Sequence, residues 1–125
     1  MTLTDQQIFD ECISHVIKQG VQATGTSGCE YLTRNGLSCA LGGPIVNRGL
    51  YNIEIEGDTP STIRDTPNAL DNILAEWGVV PDQYKLLRRI QKAHDNAASD
   101  FFLNSFKVNA REVAKEFKLN TEAIT

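Results

Sequence analysis

The sequence predicts an α+β domain, mainly α, in which four to five helices pack with one short antiparallel β-hairpin. Three observations carry that expectation. Apolar residues recur at helical spacing in stretches that open on capping residues and stop at glycine. Two short runs of strand character flank Arg34-Asn35-Gly36. A length of 125 residues is the usual size of one domain, so residues 1–125 are read as a single globular unit.

The first helix opens at Thr4, with Gln7 completing a capping box and Leu3 and Ile8 in the hydrophobic-staple positions, and it stops at Gly20. Ile8, Phe9, Cys12, Ile13, Val16 and Ile17 form its apolar stripe, which makes Cys12 a core thiol and leaves His15 at the stripe's edge. Gln22 to Gly28 reads as a loop. In the hairpin, a three-residue turn with Gly36 in the left-handed position pairs Tyr31 with Cys39 and gathers Cys29, Tyr31, Leu37, Cys39 and Leu41 on one face. Gly42-Gly43-Pro44 ends it, and Ile45 to Thr66 reads as an irregular surface excursion.

Thr66 as cap and Pro67 at the first position open a second helix that carries Leu70, Ile73, Leu74 and Trp77 inward and ends at Gly78. A third follows Pro81 and runs to about Asn96, with Leu87 and Ile90 inward and Lys85, Arg88, Arg89 and Lys92 in one stripe on the opposite side. Ser99 starts a short aromatic helix with Phe102 and Phe106. Asn109 then caps a separate last helix, with Glu112 completing its box and Val108 and Val113 its staple.

The net charge of −4 is unevenly spread, with −7 on residues 1–82 and +3 on residues 83–125. Such asymmetry bears on association with a charged partner rather than on fold. Cys12, Cys29 and Cys39 are an odd number in a chain with an adequate core, so reduced thiols are expected. Met1 to Gln7 lacks a signal-peptide pattern, and no segment approaches the roughly 20 apolar residues of a membrane span. The expectation is a cytoplasmic protein with no membrane partner.

His94 follows Leu87 and Ile90 at helical spacing and therefore points toward the core, where a neutral imidazole bonded to a backbone carbonyl is the ordinary outcome. Asp95 and Asn96, at the helix end, can cap, turn the chain or line a pocket beside it. On the hairpin, Cys29 and Cys39 would lie on the order of 7 Å apart. Their spacing matches no zinc pattern, so no metal and no cofactor is called for. A thiol nucleophile at Cys39, activated by His94 and oriented by Asp95, is the enzymatic reading, although a strand position does nothing to lower the thiol pKa. The basic stripe can attract phosphates, nucleic acid or an acidic protein, but no aromatic platform, phosphate loop or dinucleotide fingerprint accompanies it. Arg111 to Ile124 looks like the first helix and turn of a helix-turn-helix without its recognition helix.

Cys29-x-Tyr31, Gly36-Leu37-x-Cys39-Ala40-x-Gly42, Ile45, Tyr51, Glu56-Gly57, Gln91 and His94-Asp95-Asn96 together resemble a family of small uncharacterised proteins encoded by bacteriophages and prophages, over about residues 6–119. In that pattern Gly43 is often a further cysteine, and its absence here weakens a metal reading. The resemblance implies viral origin, a bacterial host cell and an accessory role, and it names no reaction.

The expected function is a non-catalytic accessory binding protein that captures or inhibits a host protein or a small phosphorylated metabolite, with a counter-defence role in view. A thiol enzyme using Cys39, His94 and Asp95 is the first alternative, and nucleic-acid binding by Lys85, Arg88, Arg89 and Lys92 the second. Self-association into a homo-oligomer stays open. The expected site lies where the hairpin meets the end of the third helix, with Arg34, Asn35, Cys39, His94, Asp95 and Asn96 as members.

Overall fold

The computed structural model describes residues 2–23, 30–33, 36–56 and 68–124. Among them the chain forms α1 (Asp5–Gln19), α2 (Gly42–Asn47), α3 (Ala69–Trp77), α4 (Tyr84–Asp95) and α5 (Phe102–Phe117), with 3₁₀ turns at Ile53–Ile55, Pro81–Gln83, Ser99–Phe101 and Glu122–Ile124. No β-strand occurs among the described residues, so the architecture is an all-α bundle and the α+β expectation is corrected.

α1 follows from local chemistry. The Thr4 side chain accepts from the Gln7 amide, Gln7 reaches back to the Thr4 amide, and Gly20 closes the helix in the left-handed conformation at φ 79°. Its stripe of Ile8, Phe9, Cys12, Ile13 and Val16 is buried.

Among the described residues the hairpin is absent, because most of the described backbone amides of its two runs go to side chains. Thr33 N–H donates to the Leu37 carbonyl and Gly36, at φ 82°, makes the turn, but the ladder does not extend beyond that rung. Tyr31 and Leu32 N–H instead donate to the Glu56 carboxylate at 2.9 and 3.1 Å. Ser38 N–H donates to Gln19 Oε1, and Leu41 N–H to Gln91 Oε1. Ser38, Cys39, Ala40 and Leu41 are all buried, so this run has no solvent face for a strand's alternation to select. Cys29, Arg34 and Asn35 lie outside the described residues.

Gly42-Gly43-Pro44 opens α2 rather than ending a strand, and Ile45 and Ile55 are core residues, which corrects the irregular surface excursion expected from Ile45 to Thr66 at those positions. Residues 47–49 and 52–54 are exposed, and 57–66 lie outside the described residues. The two glycines are required by contact: a Cβ at Gly42 would meet the Tyr31 backbone, and one at Gly43 would meet the His15 ring.

Asn68, not Thr66, caps α3, through a capping box with Asp71; Thr66 and Pro67 lie outside the described residues. Leu70, Ile73, Leu74 and Trp77 are buried as the pattern requires, and Gly78 closes the helix at φ 105°. The two helices read after Ser99 are one. A 3₁₀ turn runs into α5, whose buried positions Phe102, Phe106, Ala110, Val113 and Ala114 continue a single stripe through Asn109. Asn109 is therefore mid-helix, where its side chain donates to the Ala93 carbonyl at 3.1 Å instead of capping. After Lys118, left-handed at φ 57°, the chain folds back on α1: Asn120 N–H bonds Gln6, and Ile124 is buried.

α4 and α5 form an antiparallel pair, with Arg89 opposite Glu116 and Ala93 opposite Asn109. No helix among the described residues is long and apolar enough to cross a membrane.

Candidate ligand cleft between two helices

The predicted histidine lies in the core. His94 is fully buried, as its helical spacing required, and both ring nitrogens are engaged. Ala23 N–H donates to Nε2 at 3.3 Å, which puts the ring proton on Nδ1, and Nδ1–H donates to Asp95 Oδ1 at 2.9 Å. Gln91 Nε2 donates to the same Asp95 oxygen, while Gln22 donates to the His94 carbonyl. Phe102 stands edge-on to the imidazole at 5.5 Å between centroids. These two partners are a loop amide and a carboxylate rather than the backbone carbonyl expected.

Cys39 is buried too, and its sulfur accepts from Gly42 N–H at 3.3 Å. Burial pushes its thiol up to about 12, partly opposed by backbone amides and reinforced by the charges of Asp95 and Glu56. A general base needs a free acceptor nitrogen, and a nucleophile needs thiolate. With Nε2 holding a backbone proton and Cys39 held protonated, this corner does not have the geometry of a Cys-His pair. Gln91 ties the two parts together, accepting from Leu41 N–H and donating to Asp95. The junction between the 38–41 segment and the end of α4 thus exists as packed core. Asn96 stands apart as the C-cap of α4, and Arg34 and Asn35 lie outside the described residues.

Two neighbouring groups follow the same logic. His15 Nε2–H and Gln19 both donate to the Ser38 carbonyl, and burial lowers the His15 pKa, which favours the neutral ring. Burial also raises Cys12 well above an ordinary thiol. No group of three His, Cys, Asp or Glu side chains among the described residues is placed to hold a metal ion.

The basic stripe is exposed at Lys85, Arg88 and Lys92, but part of it is neutralised from α5: Arg89 pairs with Glu116 at 2.9 Å and Lys85 reaches the same carboxylate at 3.9 Å. Beside these pairs the two helices leave a cleft of about 240 Å³. Arg89, Lys92 and Asn96 form its α4 wall, Asn109 and Glu112 its α5 wall, and Ala93 and Val113 its floor. Lys92 and Glu112 are both exposed and unpaired among the described residues. Arg89 Nε is hidden from solvent with no hydrogen-bond partner among the described residues, while Nη2 of the same guanidinium holds Glu116. A buried donor without a partner is uncommon and marks a place where an acceptor would be stabilised.

Sequence reasoning placed Arg89 and Lys92 in the basic stripe of α4 and assigned Asn96, at the helix end, to the cluster beside His94. Asn109, Glu112 and Glu116 were missed because a capping-box reading absorbed the first two. The available signal was the spacing of 109, 112 and 116, which puts all three on one side of a continuous helix.

No family model, curated protein or solved structure matches the chain. The resemblance to phage and prophage proteins therefore stands on sequence alone, and among the described residues the hairpin that anchored part of that pattern is absent.

Proposed function

We propose that this chain is a non-catalytic binding protein that holds a small phosphorylated ligand in the cleft between α4 and α5. The observation that carries the reading is an exposed, unpaired Lys92 beside the partly exposed Arg89 guanidinium on one wall of the cleft. Phosphate oxygens accept charge-assisted hydrogen bonds from the Lys92 ammonium and from the solvent-facing part of the Arg89 guanidinium, and the Asn96 amide supplies a third donor at the end of the wall. Ligand sites run to about 300–1,000 Å³, and a cleft of about 240 Å³ suits a phosphomonoester of a few heavy atoms rather than a dinucleotide.

The thiol-enzyme reading loses its support in the burial of Cys39 and the engagement of His94. Nucleic-acid binding is weakened by the two carboxylates that α5 sets against the basic stripe, since a polyanion would face Glu112 in the cleft and Glu116 on Arg89.

Titration with inorganic phosphate, followed by amide chemical shifts, tests the proposal. Saturable shifts should centre on residues 89–96 and 109–113, and Lys92→Met should weaken binding about tenfold, the loss expected for one charge-assisted bond. Absence of saturable shifts at that cleft would dispose of the reading.

A further inference from the structure

We infer that the ligand is a zwitterion, a phosphomonoester that also carries a primary ammonium group; this rests on the phosphate reading of the cleft. The two walls differ in kind. α4 contributes donors and positive charge through Arg89, Lys92 and Asn96. α5 contributes acceptors: Glu112 is an exposed carboxylate with no partner among the described residues, and Asn109, one of whose two amide hydrogens goes to the Ala93 carbonyl, lines the same wall and carries a side-chain oxygen that can accept.

A phosphate alone satisfies only the first wall and brings a dianion beside a like charge. An intramolecular Lys92–Glu112 ion pair would remove that conflict, but the two do not pair, and a pair would withdraw Lys92 from the ligand. An ammonium a few ångströms from the phosphate resolves it from the ligand's side. The phosphate takes Arg89 and Lys92, and the ammonium donates to Glu112 and Asn109. The opposed charges then act as a selectivity device, because a simple anion is penalised by the carboxylate that rewards the zwitterion.

Calorimetric titration at neutral pH and low salt, comparing O-phosphoethanolamine with ethyl phosphate on wild type and Glu112→Gln, tests this. Glu112 is exposed, so the substitution leaves the fold intact. The wild type should prefer phosphoethanolamine by tenfold or more. Glu112→Gln should lose that preference and bind ethyl phosphate at least as well as the wild type does. Equal affinities in the wild type, or a preference that survives in Glu112→Gln, would overturn the zwitterion while leaving the phosphate reading standing. Failure of both compounds to bind would overturn both.

Discussion

Removing the Glu56 carboxylate should cost a large share of the domain's stability, because that one group replaces the missing hairpin. It accepts from Tyr31 N–H at 2.9 Å, Leu32 N–H at 3.1 Å and the Tyr51 hydroxyl at 2.6 Å. Hydrogen bonds to a charged partner are worth about 1.5–3 kcal/mol each. Tyr31 is buried, so in Glu56→Ala its amide is left dry and the full value applies; Leu32 and Tyr51 are half-buried and can recruit water, which returns most of theirs. The sum is about 3–4 kcal/mol, against a total of about 5–15 kcal/mol for a domain. With a urea slope of about 1–3 kcal/mol per molar, the unfolding midpoint should fall by about 2 M. Glu56→Gln keeps one acceptor and should lose about half as much. Native-state hydrogen exchange should show Tyr31 and Leu32 amides losing protection ahead of α1. An unfolding free energy for Glu56→Ala within about 0.5 kcal/mol of wild type would refute the argument that this carboxylate holds the 30–33 segment.

The same cluster predicts an alkaline signature. Burial first, then the bond to Glu56 and its charge, hold the Tyr51 phenol up at about 12. A pKa raised on folding contributes stability that is intact below the unfolded value of about 10 and is lost as pH climbs toward 12, so Tyr51→Phe should show a flatter stability profile over that window in urea titrations; identical slopes would count against it. His94→Gln should lower stability by about 1–3 kcal/mol, since the Ala23 amide and Asp95 lose a shaped partner, yet leave phosphate affinity within twofold of wild type. Loss of binding in protein that stays folded would show the histidine to be functional after all. Cys39, with its thiol near 12, should resist iodoacetamide at neutral pH in the native state and react once urea unfolds the chain, as followed by mass spectrometry; rapid native labelling would contradict its burial.

What could be read from the sequence was local. The capping box at Thr4 and Gln7, the glycine stops at Gly20 and Gly78, and the inward spacing of Leu70, Ile73, Leu74, Trp77 and His94 each depend on residues within one or two helical turns, and each is present in the fold. The sign and position of the basic stripe were equally legible, because side-chain direction on a helix follows from position alone. Tertiary structure decided the rest, wherever a backbone amide had two acceptors to choose between. Tyr31 and Leu32 could have paired with a neighbouring strand, but a carboxylate far along the chain offered charge-assisted bonds that a carbonyl ladder of two rungs could not match. Asn109 had the composition of a cap, yet the uninterrupted apolar stripe of α5 and the Ala93 carbonyl kept it inside the helix. The cleft itself belongs to neither helix. It exists only because α4 and α5 pack antiparallel, setting Lys92 across from Glu112 without letting them pair, a relation between residues that periodicity along one helix does not encode.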